Sequence, residues 1–246
     1  MSKNVALPTK WQELKKFTKA RVALGNVGTG LPLNDVLALK HAHALAKDAI
    51  VTKLDLKLLT KKCRPYNISC QVFKSEVNDR FEYLKRPDLG RKLAKSKDYK
   101  KVEKVDILFV LTDGLSAKAV NKNAFQVLDN VLTELNKNYA IGIACVEQGR
   151  VAVGDAVAEW YDADFVAVLI GERPGLSSPE SMGIYTTYNP KIGLTDERRN
   201  CISNIHADGL NGKQAAELLK YLIQKSFALK LSGVGLKVEI GEILDT

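Results

Sequence analysis

Four cysteines, Cys63, Cys70, Cys145 and Cys201, are scattered through 246 residues without a Cys-x-x-Cys pair. That leaves neither a disulfide framework nor structural-zinc spacing. No apolar run approaches the roughly 18 residues of a membrane span, so no membrane association is expected. The opening MSKNVALPTKWQELKKF lacks a signal-peptide core, which predicts a cytoplasmic protein. Repeats and low-complexity tracts are absent. Aromatics make up only 7% and do not interleave with the basic residues, which gives single-strand stacking little support. Of three histidines, His41 and His43 lie two apart on a predicted helix and face opposite sides, so they are no metal pair. No nucleophile–base pair, catalytic carboxylate pair or metal cluster emerges, and neither catalytic residues nor metal ligands are assigned.

What is present is an ordinary core-forming composition, 46% hydrophobic and 26% charged. The chain is long enough for one large domain or two small ones. Its net charge of +9 is unevenly placed. Residues 1–104 hold 24 basic against 10 acidic side chains, a net +14, whereas residues 105–246 hold 13 against 18, a net −5. A basic half of this kind suits an acidic protein partner, nucleic acid or plain solvation.

Hydrophobic spacing then sorts the elements. Trp11, Leu14, Phe17 and Thr18 predict a short amphipathic helix over 9–20. Asn34 is placed to cap a helix from Asp35 to about Val51, and Ile68 to Phe73 reads as a strand. Asp88 is a candidate cap for a helix through Leu93 and Ala94, and KSKDYKKVEK marks a boundary. From Val105 the pattern becomes regular: strands at Val105–Thr112, Tyr139–Val146, Phe165–Ile170 and Cys201–Ile205 alternate with helices, the last running from Gln214 to Leu231. Such alternation predicts an α/β fold with a doubly wound, mostly parallel sheet in 105–246, preceded by a mainly helical N-terminal region, residues 1–104.

Ligands of such sheets bind beyond the carboxyl ends of the strands. Asp113, Glu172 and the Cys201–Asn204 segment all fall there. Glu172 follows an apolar strand directly, in Gly171-Glu-Arg-Pro-Gly175, where it reads either as a ligand contact or as a partner of Arg150 or Arg173. Val151, after Gly149-Arg150, is either a wall of the crevice or core. Asp113 and Ser116 read as crevice residues or as caps of a strand–helix turn. Gly25-x-x-Gly28-x-Gly30 is neither a dinucleotide fingerprint nor a phosphate loop. Thr112-Asp-Gly-Leu-Ser-Ala likewise lacks the glycines of a stand-alone nucleotide-binding domain. Asn204-Ile-His206-Ala-Asp-Gly209 departs by one residue from Asp-x-His-x-x-Gly, in which histidine ligates cobalt in some corrinoid enzymes. Here Asn replaces the acid that would orient the imidazole, and His206 reads as a metal ligand or as a loop histidine.

Several longer stretches, taken in order, resemble the small (light) subunit of adenosylcobalamin-dependent ethanolamine ammonia-lyase. They are Ala20-Arg-Val-Ala-Leu-Gly25, Arg86-Pro-Asp-Leu-Gly-Arg91, Asp113-Gly-Leu-Ser116, Gly171-Glu-Arg-Pro-Gly-Leu176 and Asn200-Cys-Ile-Ser-Asn-Ile205. The resemblance implies a Rossmann-like cobalamin-binding part and deamination of ethanolamine to acetaldehyde and ammonia. It implies a large TIM-barrel subunit as partner in a hetero-oligomer, and adenosylcobalamin between the two chains with its own dimethylbenzimidazole on cobalt. Carried onto this sequence, the family's small-subunit cofactor contacts fall on Val151, Glu172 and Cys201. Some members carry a long N-terminal extension associated with a bacterial microcompartment, a second location beside the cytoplasm. This sequence starts almost directly at its first predicted helix.

Overall fold

The structure, a computed structural model, describes Trp11 and residues 13–100 and 102–237. Six strands form one sheet in the order β1-β3-β2-β4-β5-β6: β1 Cys70–Lys74, β2 Ile107–Thr112, β3 Ile141–Glu147, β4 Phe165–Gly171, β5 Met182–Tyr188 and β6 Asn200–Ile205. The helices are α1 Leu33–Val51, α2 Leu56–Cys63, α3 Arg80–Lys85, α4 Ala117–Leu135, α5 Val153–Trp160 and α6 Gly212–Leu229.

Strand period explains how the sheet is covered. In β2 every residue is buried. Ile107, Phe109 and Leu111 pack with α2, α4 and α6 on one face, while Leu108 and Val110 pack with Val153, Val157 and Ala158 of α5 on the other. Alternate residues serving opposite cores are what a two-sided sheet requires, and each large apolar side chain buried there contributes roughly 1.5–3 kcal/mol. Local signals set the helix starts. Asp55 accepts from the Leu58 amide at 2.9 Å and Asp79 from that of Glu82 at 2.8 Å, capping α2 and α3. Asn211 and Gln214 form a reciprocal capping box on α6.

The expected mostly parallel sheet is instead mixed. β1, β3, β2 and β4 are parallel neighbours, but β5 pairs antiparallel with β4, and β6 antiparallel with β5. The cause lies in loop 172–181. Pro174, Gly175 and Pro179 oppose a crossover helix, and without one the chain turns back beside β4. The strand from Met182 to Tyr188 is absent from the sequence-based reading. Because β5 reverses direction, β6 runs with β2 and β4, and its end returns to the same sheet edge.

The N-terminal region also differs in detail. Leu14–Lys16 forms a 3-10 turn, and part of the helix predicted over 9–20 lies outside the described residues. α1 begins at Leu33 after Pro32, so Asn34 lies inside it and caps nothing. Leu89–Arg91 is a single 3-10 turn, and Asp88 pairs with Arg86 at 2.7 Å in place of capping a helix. β1, from the basic half, is an edge strand of the main sheet. Only Ala46 and Ala49 of α1 are buried.

Candidate functional site

The connection from β2 through α4 moves to β3 on one side. The connection from β3 through α5 then hops back past β2 to β4, over the opposite face. This reversal opens a crevice outside the carboxyl ends of β2 and β4. A cavity of about 500 Å³ lies there, walled by Gly114 and Leu115 after β2, Arg150 to Ala152 before α5, and Gly171 to Arg173 after β4. A larger groove of about 940 Å³ adjoins it along α5 and shares Arg91, Ala152 and Asp196.

Glycine makes the floor of this crevice. Gly114 has φ +52°, and a Cβ there would lie 2.3 Å from the Gly171 carbonyl oxygen. A Cβ on Gly171 would lie 2.1 Å from the Ser116 oxygen. With both side chains missing, the loops after β2 and β4 interlock, and the Leu115 amide donates to the Gly171 carbonyl at 2.9 Å. Ser116 is an N-cap: its hydroxyl accepts from the Ala119 amide at 3.3 Å and donates to the Pro179 carbonyl at 2.9 Å.

The predicted site residues fall in three relations to the cavity. Val151 and Glu172 line it together. Glu172 pairs with neither Arg150 nor Arg173 among the described residues. Its carboxylate accepts the Ser181 hydroxyl at 2.5 Å and the Asn204 amide at 3.3 Å, tying the β4 end to β6. Cys201 stands one step away, paired across the sheet with Tyr185, and Tyr185 lines the cavity. Burial, then the adjacent Cys201, pushes the Tyr185 hydroxyl up to about 12, so it stays a neutral donor.

Asp113 does not join them. It lies on a neighbouring cavity with Arg80 and Gln148, its carboxylate 3.4 Å from Arg80 Nη1. Burial raises its pKa to about 6 against the pull of Arg80. His206 is held within its own loop: Nδ1 accepts from the Asp208 amide at 3.3 Å, and the opposite ring nitrogen lies 2.8 Å from Asn204 Oδ1. The glycines at 25–30 make a turn closed between Val27 and Gly30.

Two features escaped sequence reasoning. Arg199 and Asp155 form a bidentate ion pair with distances of 2.8 and 2.6 Å, and their side chains are only 2% and 1% exposed. Arg199 donates further to Thr187 at 2.9 Å and to the Leu194 carbonyl at 3.2 Å. The pair joins the first turn of α5, just after Val151, to the start of β6, just before Cys201. Secondly, Tyr83 of α3 is fully buried beneath the guanidinium groups of Arg80 and Arg150, at 4.6 and 4.2 Å from its ring centre. Residues so far apart in sequence give no local signal, although a charged pair flanking apolar segments is a cue worth testing.

The family model for the ethanolamine ammonia-lyase light chain matches residues 8–237. The ethanolamine ammonia-lyase small subunit of Pseudomonas fluorescens (strain Pf0-1) is 42% identical over 238 residues, covering 93% of this chain and 87% of the relative. That of Azotobacter vinelandii is also 42% identical, covering 93% and 88%. That of Ralstonia nicotianae is 43% identical over 236 residues, covering 92% and 87%. A small subunit implies a larger partner chain. On a match of this extent, the chain belongs to the ethanolamine ammonia-lyase small-subunit family, whose members are subunits of a lyase.

Proposed function

We propose that this chain holds adenosylcobalamin at the crevice beyond β2 and β4, facing a large TIM-barrel subunit, for radical deamination of ethanolamine to acetaldehyde and ammonia. The observation that carries this reading is the convergence of Val151 and Glu172 on one cavity, with Cys201 behind Tyr185. The cavity and its adjoining groove offer a long, mixed polar and apolar surface, which suits a large amide-rimmed ligand. Arg150 lines the cavity, and its Nε is buried without a hydrogen-bond partner among the described residues.

When bound, the cofactor supplies the radical chemistry. This chain's residues bind and orient. Val151 gives an apolar wall, the Glu172 carboxylate accepts hydrogen bonds from amide or hydroxyl groups, and the Tyr185–Cys201 pair borders the far side. The basic first 104 residues dock the partner, presenting exposed Phe17, Leu33 and Leu37 beside their positive charge. The cytoplasm is the proposed location.

The test reconstitutes the chain with its larger subunit and measures cobalamin affinity and melting temperature for Glu172→Gln. Glutamine keeps the shape and one acceptor for Asn204 but loses the charge. A hydrogen bond to a charged acceptor contributes roughly 1.5–3 kcal/mol, so affinity falls about ten- to a hundredfold while melting stays in place. Unchanged affinity with lowered melting would remove Glu172 from the site. The chain alone should not turn over ethanolamine.

A further inference from the structure

The crevice is electropositive in a specific way. Arg91, Arg150 and Arg173 all line the same cavity, and none has a carboxylate partner among the described residues. Arg91 and Arg173 are exposed, with no side-chain hydrogen bond or ion pair among the described residues. Arg150 spends Nη2 on the Tyr83 carbonyl at 3.3 Å and leaves its buried Nε unmet. The two carboxylates on the cavity are already engaged. Glu172 accepts from Ser181 and Asn204, and Asp196 pairs with Arg199 at 3.3 Å. The α5 N-terminus adds to the field: Arg150 to Ala152 lead directly into Val153, and Ala152 supplies no side-chain cap.

Three guanidinium groups around one cavity, without counter-ions among the described residues, call for an anion, and planar forks suit phosphate oxygens. The corrin ring is fringed by neutral amides, which can accept hydrogen bonds but bring no negative charge to neutralise the three guanidinium groups. The phosphodiester of the nucleotide tail does. Resting on the cofactor reading above, we propose that Arg91, Arg150 and Arg173 form the subsite for that phosphodiester. Glu172, in the same cavity, is left to the amides and hydroxyls. Arg150 is also structural, because it packs on Tyr83 and its Cγ lies 2.9 Å from where a Cβ on Gly90 would stand. The informative variants are therefore Arg91→Gln and Arg173→Gln.

The experiment measures equilibrium binding of two ligands, by their absorbance change, to the complex of this chain with its larger subunit. Cobalamin carries the phosphodiester, whereas cobinamide has the same corrin without the nucleotide tail. Each single variant should lose on the order of tenfold in cobalamin affinity and the double variant more, while cobinamide affinity holds within about twofold. Both side chains are exposed, so melting should not move, and that control separates binding from folding. Equal losses for both ligands, or no loss for either, overturn the phosphodiester assignment. A wild-type complex that binds neither ligand overturns the cofactor reading itself, a result distinct from an arginine effect shared by both.

Discussion

Replacing Asp155 by asparagine should cost more stability than any surface change in this protein. The pair it makes with Arg199 is almost wholly removed from water, at 1% and 2% side-chain exposure. Asparagine fits the space and keeps one acceptor, but it leaves a guanidinium buried without its counter-charge. Besides that one acceptor, Thr187, the Leu194 carbonyl and exposed Asp196 then remain around it. Breaking a buried pair from one side costs about 3–5 kcal/mol, and a chain of this length moves by roughly 2–4 °C per kcal/mol. A melting temperature lower by roughly 6–20 °C is expected. Removing both charges together, in Asp155→Leu with Arg199→Met, should recover a large part of that loss, because the desolvation of two ions disappears with their attraction. The pair also fixes α5 to the start of β6, so Asp155→Asn should lower cobalamin affinity of the reconstituted complex as Val151 and Cys201 lose their common frame. Melting by circular dichroism reads the first effect. A shift smaller than about 2 °C, or a double variant worse than the sum of its parts, would refute the reasoning.

Asp113 gives a pH signature. Its folded-state pKa is raised to about 6 from an ordinary 3.8, so the folded chain holds a proton that the unfolded chain has lost. Its contribution therefore falls as pH rises from about 4 to about 6, by roughly 2–3 kcal/mol. Asp113→Asn should flatten that part of the stability profile in parallel melts at pH 4, 5, 6 and 7, and an unchanged difference between pH 4 and pH 6 would refute it. Gly171→Ala forces a methyl group against the backbone of Ser116 and Asp113. It should cost at least about 1–3 kcal/mol, and it should weaken cobalamin binding by parting the loops that floor the crevice. Wild-type melting in that variant would show that the loops are not interlocked.

The legible part of the fold is the part governed by short-range periodicity. β2, β3 and β4 are apolar up to their carboxyl ends because both faces of the sheet are covered, and α4 shows its core stripe at Val120, Ala124, Val127, Leu128 and Val131. β5 was harder to see. Gly183, Thr186 and Thr187 lower its hydrophobicity although all three are buried, since Thr187 takes part in the Arg199 network and a Cβ on Gly183 would lie 3.0 Å from Glu172. Its Ile-Tyr-Thr-Thr-Tyr run still carries β propensity, and reading propensity beside hydrophobicity would have found it. The caps Asp55 and Asp79 were equally open to inspection. Each stands three residues before the amide it receives, at the start of a helix of only six or eight residues.

Strand ends placed Glu172 at the crevice because its position depends only on where β4 stops. Asp113 satisfied the same rule and went elsewhere, which shows what the rule omits. A residue at a carboxyl edge faces whichever cavity its turn directs it toward, and Gly114 at φ +52° turns the chain so that Asp113 meets Arg80 while Leu115 meets the crevice. Val151 owes its position to a tertiary device that one local sequence does not contain, the fastening of α5 to β6 by Asp155 and Arg199. Cys201 is set by a register, fixed when β5 turns back and brings Tyr185 opposite it. The crevice thus depends on one helix anchored by a buried charge and one strand placed by a reversal. A substitution outside the crevice lining, at Asp155 or at Pro174 or Pro179 of the loop after β4, should therefore disturb the proposed cofactor binding as surely as one at Glu172.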